Sequence, residues 1–393
     1  MSPILALALL AAAGIAATRL PRPALRHSRS LDLVLAAGAP LVLLGLVLGP
    51  GLDVLDQPAL RALAPATALG IGWIGAGVGA RLEWRLVRRV PRRAWALAAS
   101  QAAAVFATTA LAAYLLGRAA PALGTAWRPT RPALLILAAM AIVSGPGAAA
   151  LVARAVGVRR PLAKAFERAA TLETALGALA FAVALALYHP RPPYASLPVA
   201  ALEWVALAVA AGGGVGMLFL WLTRLRPELH GLDLLGVMLF GAGVGYAADL
   251  SPFLVCALAA ALIVNRSPWR RQVQALLQAS EQPIYALVLI VAGALLHLPT
   301  AWLLPAVLVL GLVRVAARWL PSRFFPESVG GGLAIVAQGG VPVALAVSFY
   351  LLYGGPGGRA ILTTVLLGMV LAQALAGPLM ALAARPARLE VTA

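Results

Sequence analysis

The sequence predicts an all-α membrane protein of thirteen transmembrane helices, and three observations carry that reading. Of 393 residues, 62% are hydrophobic and only 11% charged, with a mean hydropathy of +0.93. Ordinary soluble domains are about a quarter charged, so this chain cannot cover a folded surface with polar groups and needs lipid as its solvent. Apolar stretches near the length of about 20 residues that crosses a hydrocarbon core recur along the whole chain. The arginines between them fall on alternating sides.

The first stretch, 3 to 18, has no basic residue before it and four after it (Arg19, Arg22, Arg26, Arg29), the reverse of a secretory signal, so it reads as a helix. Stretches 31 to 50 and 62 to 80 follow, the latter running into Arg81, Arg85, Arg88, Arg89, Arg92 and Arg93. Stretches 94 to 117 and 132 to 153 come next, with Arg154, Arg159, Arg160, Lys164 and Arg168 beyond. After 165 to 188 and 197 to 223 come Arg224 and Arg226; after 231 to 249 and the short 251 to 265 come Arg266, Arg270 and Arg271. Stretches 282 to 298 and 300 to 320 lead to Arg314, Arg318 and Arg323, and 329 to 353 and 358 to 384 lead to Arg385 and Arg388. Odd-numbered spans are thus followed by 25 of the 31 basic residues, and even-numbered spans by the remaining six: Arg61, Arg118, Arg128, Arg131, Arg191 and Arg359. Basic residues collect in cytoplasmic loops, so the expected N-terminus is outside and the C-terminus inside. The net charge of +18 is then a record of orientation, and nucleic acid is not an expected partner. Seven tryptophans (Trp95, Trp127, Trp204, Trp221, Trp269, Trp302, Trp319) near span ends read as interfacial anchors.

Several chemistries are excluded. The single cysteine, Cys256, rules out an intramolecular disulfide and a thiolate metal cluster. No His-Glu-x-x-His or Gly-x-Ser-x-Gly occurs, and His27, His189, His230 and His297 lie at or beyond span ends, so an intramembrane enzyme lacks its constellation and no cofactor is expected. Glycine runs at 70 to 79 and 212 to 216 lie inside apolar spans and read as close-packing surfaces, not phosphate loops. With only a short tail after Pro386, no regulatory module is expected, and arginine in place of nearly all lysine reads as GC-rich bacterial coding, hence an expected bacterial inner membrane.

Two spans carry backbone breakers near their middles: Ser144-Gly145-Pro146-Gly147 in the fifth and Gln338-Gly339-Gly340-Val341-Pro342 in the twelfth. Proline removes a helical donor and glycine loosens the turn, freeing backbone groups at membrane depth, where only protein or a watery cavity can satisfy them. A matched pair of interrupted helices points to a transporter site; proline kinks used only for packing are the other reading. The span after the first break holds Glu173, the acid best placed for true membrane depth. A carboxylate there is expensive unless protonated or paired, and such residues mark ion or proton paths. Ala169, Ala170, Gly177, Ala180 and Ala184 form a stripe of small residues beside it, which directs it into the bundle. Arg314, inside the eleventh span, either pairs with Glu173 or reaches for the cytoplasmic interface.

These residues resemble the monovalent cation:proton antiporter superfamily, which includes sodium/proton exchangers and potassium efflux systems. Leu48-Gly49-Pro50 and Leu69 to Val78 are similar to its second and third helices, and Ser144-Gly145-Pro146 with Val152-Ala153-Arg154 and Gly157 to its first broken helix. Leu250-Ser251-Pro252-Phe253-Leu254 with Ala257 to Leu262, and Gly332-Leu333-Ala334 through Gln338-Gly339-Gly340, resemble two later motifs. The resemblance implies two inverted repeats with crossed broken helices and elevator-like alternating access. It implies a mobile core near 94–188 and 300–384, a static part near 1–93 and 224–298 that usually forms a homodimer, and a linking helix near 197–223. The substrates it implies are a monovalent cation, Na+ or K+, and protons. One position departs from the pattern. Counting from Pro161, the family's Asn-Asp, Asp-Asp or Gln-Asp pair falls on Glu173 and Thr174, so the ion-binding aspartate is a threonine here. Either Glu173 is the exchanging carboxylate, with Thr171, Thr174 and Ser144 offering oxygens to a dehydrated cation, or Glu173 and Arg314 form a static pair and exchange is lost. In the second case the protein is a regulatory or partner membrane protein of the same fold.

Overall fold

The computed structural model describes residues 12, 33–35, 38–127, 133–189, 197–225, 230–324 and 332–384. Apart from residue 12, the first expected span, 3 to 18, lies outside them, as do both termini. Among the described residues the principal helices are α1 (Ala39–Leu46), α2 (Ala64–Ala80), α3 (Arg92–Ala119), α4 (Ala133–Ile142), α5 (Pro146–Val156) and α6 (Arg160–Leu187). They continue as α7 (Leu197–Leu225), α8 (His230–Ala247), α9 (Pro252–Arg266), α10 (Arg270–Ala294), α11 (Leu303–Ser322), α12 (Val341–Tyr353) and α13 (Gly355–Ala383). No strand occurs among the described residues. Six helices are long and apolar enough to cross a bilayer alone, α4 with α5 makes a seventh span bent by 43°, and five apolar helices are shorter. The chain is an integral membrane protein.

Helices stand where the twelve later stretches predict them, with one large shift. The tenth span begins at Arg270, not near 282. Its first turns carry Gln272, Gln274, Gln278 and Ser280, too polar for a hydropathy reading, yet they bury Val273 and Leu277 at helical spacing. An amphipathic start of this kind is helical through tertiary packing. Glu281, just before the expected start at 282, therefore lies mid-helix. Trp127 is 3% exposed, a core residue and not an interfacial anchor.

Glycine stripes set the closest helix contacts. A Cβ added at Gly75 or Gly79 of α2 would stand 2.1 Å from the Phe253 carbonyl oxygen or 2.0 Å from that of Ala257 on α9. Gly45 on α1 and Gly293 on α10 meet each other's helices in the same way. Backbones can touch like this only where no side chain intervenes, and dispersion at short range replaces the hydrophobic driving force that lipid removes. Gly79→Val is accordingly expected to destabilise the protein by about 1–3 kcal/mol through forced separation of α2 and α9. Thermal unfolding in detergent checks this, and an unchanged midpoint contradicts it.

The two breaks have separate local causes. Pro146 occupies the first turn of α5, where its missing N–H costs nothing and its fixed φ suits a helix start, but it stops α4 from continuing. α5 itself ends on Gly157 at φ 76, the left-handed cap that glycine adopts most readily. In the second break a single 3-10 turn (Gly332–Ile335) leads into irregular backbone, then Gly339 at φ 62, before Pro342 in the first turn of α12. The breaks cross in the core: the Gly145 N–H donates to the Ala337 carbonyl at 2.9 Å. A Cβ at Gly145 would lie 2.3 Å from the Gln338 carbonyl oxygen, so only glycine allows that approach.

Candidate functional site

Interrupting α4 leaves its last carbonyls without helical donors. Two arginines one turn apart on α11 supply them. Arg314 donates from Nε to the Ala141 carbonyl (2.7 Å), from Nη1 to Val336 (2.7 Å) and from Nη2 to Val143 (3.1 Å). Arg318 donates from Nη2 to the Ile142 carbonyl (2.7 Å) and from Nη1 to Glu173 Oε2. A guanidinium fork suits this task, since its planar donors serve several fixed acceptors at once while its charge faces the negative end of a helix dipole.

The carboxylate partner of the bundle is thus Arg318, fully buried, and not Arg314. The fork of Arg314 is taken up by three carbonyls from both breaks, whereas the same face of α11 one turn on reaches Glu173. Arg318 sits close enough to a span end to be counted among cytoplasmic loop charges. In the fold that end packs inward, and Gln101 of α3 donates to its backbone carbonyl at 3.3 Å. Two of the 25 basic residues after odd-numbered spans, Arg314 and Arg318, are therefore core groups.

Glu173 lies in the bundle, 1% exposed, on the face of α6 that meets the first break. No other carboxylate among the described residues is buried to this degree. Ser144 Oγ stands 2.7 Å from Glu173 Oε2 and 2.7 Å from the Ile335 carbonyl oxygen, so its single proton has two acceptors on different elements. Among the described residues Oε1 of Glu173 is buried and has no hydrogen-bond partner. Gly177, one turn on, lets Val143 approach: a Cβ there would be 2.6 Å from Val143 Cγ2.

Thr174, where a second carboxylate would be expected, donates to backbone instead. Its hydroxyl meets the Ser144 carbonyl and the Ala170 carbonyl, tying the broken segment to α6. Thr171 does not join the group. It is two residues, about 200°, around the helix from Glu173, and its hydroxyl bonds the Glu167 carbonyl of its own helix at 2.8 Å. Gln338 is buried at the crossing, and Gly340 is held by α10, where a Cβ would stand 2.5 Å from the Tyr285 ring. One turn before Tyr285, Glu281 pairs with Arg81 at 3.0 Å and approaches Gly147 of α5. No cluster of metal-ligating side chains occurs among the described residues.

No protein-family model matches the chain, and no curated protein matches it in sequence. Among solved structures it is similar to the sodium proton antiporter MjNhaP1 from Methanocaldococcus jannaschii, with a TM-score of 0.70 over 98% of each chain and 16% identity. The two chains share one fold.

Proposed function

We propose that this chain is a secondary active transporter that exchanges a monovalent cation, Na+ or K+, for protons by alternating access. The observation that carries the reading is a single buried carboxylate at crossed broken helices, with one oxygen held and the other free, in a fold shared with a sodium proton antiporter. Such a group binds either a proton or a cation, because burial disfavours its bare charged form and either ligand relieves the penalty. Arg318 and Ser144 hold Oε2 of Glu173 and thereby orient Oε1. The carbonyl groups of the breaks and Ser144 supply further hard oxygens of the kind a dehydrated cation needs. One carboxylate carries one cation or one proton, so exchange is one for one and electrically silent.

In this reading a mobile core near 94–188 and 300–384 moves against a static part near 1–93 and 224–298, joined by the helix near 197–223. The static part forms a homodimer in a bacterial inner membrane, with the N-terminus outside and the C-terminus in the cytoplasm. Proteoliposomes with an imposed pH gradient and an internal pH dye test the proposal. Addition of Na+ or K+ is expected to dissipate the gradient, and no response to either overturns exchange.

A second reading rests on the two arginines. Glu173 is already paired, Thr174 carries no charge, and Arg314 fills the carbonyl cage with a tethered cation of its own. A transport-inactive member of the fold, acting as a partner of another membrane protein, fits those contacts. The same liposome assay separates the two.

A further inference from the structure

The charges at the crossing do not sum to zero. Two buried guanidiniums, Arg314 and Arg318, face one buried carboxylate, Glu173, which leaves one positive charge over. Among the described residues no carboxylate pairs with Arg314. Backbone dipoles make up only part of the difference: Arg314 donates to three carbonyls at the two breaks, but a helix end carries about half an elementary charge, and the positive start of α5 stands beside the negative end of α4. An unpaired buried ion is expensive, by several kcal/mol in general.

Beside Arg314 lies a cavity of about 50 Å³ between α3, α4, α11, α13 and the second break. Its polar lining consists of Arg314, Gln338, Thr109 and Thr364, set among apolar residues such as Leu310 and Val365. The Thr364 hydroxyl is engaged with the Ala360 carbonyl at 2.7 Å. Thr109, 2% exposed on α3, has no hydrogen-bond partner for its hydroxyl among the described residues. The Arg314 guanidinium keeps two of its five N–H groups beyond those given to carbonyls, a side-chain amide and a hydroxyl can also donate, and among the described residues no carboxylate lines the space. The volume exceeds what one water needs.

We propose that this cavity is a binding site for a small monovalent anion of the halide class, held by Arg314, Gln338 and Thr109. The anion restores neutrality at the crossing and uses the donor that the protein leaves unmatched. The site is distinct from the carboxylate of Glu173 and does not depend on cation exchange: it would exist equally in a transport-inactive chain.

The test uses the purified full chain in detergent, with chloride replaced by gluconate at constant ionic strength. The thermal unfolding midpoint is expected to rise saturably with chloride and with bromide. Thr109→Val, nearly isosteric, removes one donor without disturbing the broken helices and is expected to raise the half-saturating halide concentration about tenfold, as loss of one hydrogen bond to an ion does. Crystals soaked in bromide should show an anomalous peak between Thr109, Gln338 and Arg314. A midpoint insensitive to halide, an unchanged half-saturation in Thr109→Val, or water alone in the cavity of bromide-soaked crystals overturns the site. Loss of cation exchange in liposomes with the halide effect intact would sink the transporter reading and leave this one standing.

Discussion

Glu173→Gln is expected to abolish exchange of cation for protons in proteoliposomes while leaving the protein folded. The variant is chosen because glutamine keeps the shape and one acceptor oxygen. Arg318 Nη1 and Ser144 Oγ, both now donating to Oε2 of Glu173, retain a partner in the amide oxygen. What the amide cannot do is ionise. With no titrating group, proton and cation no longer compete for one site, and the driving logic of antiport disappears. The measurement is the rate at which a pH gradient collapses on addition of Na+ or K+, beside the thermal midpoint of the same preparation. Exchange that survives in a folded Glu173→Gln protein removes Glu173 from the mechanism. The buried location makes a solvent-exposed substitute on the same face of α6 unavailable, because its neighbours there are Ala169, Ala170 and Gly177.

Arg318→Met is expected to destabilise the fold by about 3–5 kcal/mol, the usual consequence of stranding one partner of a buried ion pair. Methionine fills similar volume without charge, so the loss reads electrostatics and hydrogen bonding more than packing. Glu173 would remain at 1% exposure with no compensating cation in contact, and the Ile142 carbonyl would lose its donor. The double variant Glu173→Gln/Arg318→Met should recover part of that loss, since the uncompensated charge is gone, while the orphaned carbonyl keeps it below wild type. Unfolding midpoints of the four proteins give the coupling directly. A coupling near zero for Arg318, with a large one between Glu173 and Arg314, would show that the pairing described here is wrong. Arg314→Met alone should also destabilise, but through three carbonyls left without donors and not through Glu173.

Much of the fold is legible in the sequence because lipid imposes strong local rules. Apolar length and arginine alternation mark helix after helix, and a Gly-Pro interruption in an otherwise apolar run can be seen without any tertiary information. Glu173 is legible for the same reason, as a costly residue in an expensive place. The amphipathic start of α10 escapes that reading, because its stability comes from Val273 and Leu277 packing inward and not from hydropathy. The choice between Arg314 and Arg318 escapes it too. Both lie on one face of α11, one turn apart, and nothing in their spacing says which of them meets a carboxylate and which meets carbonyls.

The sequence by itself determines that this chain lives in a membrane as a helical bundle, where two of its helices must break, and which carboxylate lies between them. Those follow from solvation, which acts on each residue through its own chemistry. Tertiary structure alone decides that the breaks touch through Gly145 and Ala337, that Arg318 takes Glu173 while Arg314 caps both interruptions, and that the Thr174 hydroxyl donates to the backbone of the first break. Those outcomes depend on which orphaned carbonyls come within reach of a guanidinium once helices distant in sequence are packed, and a helix face carries no record of its partner.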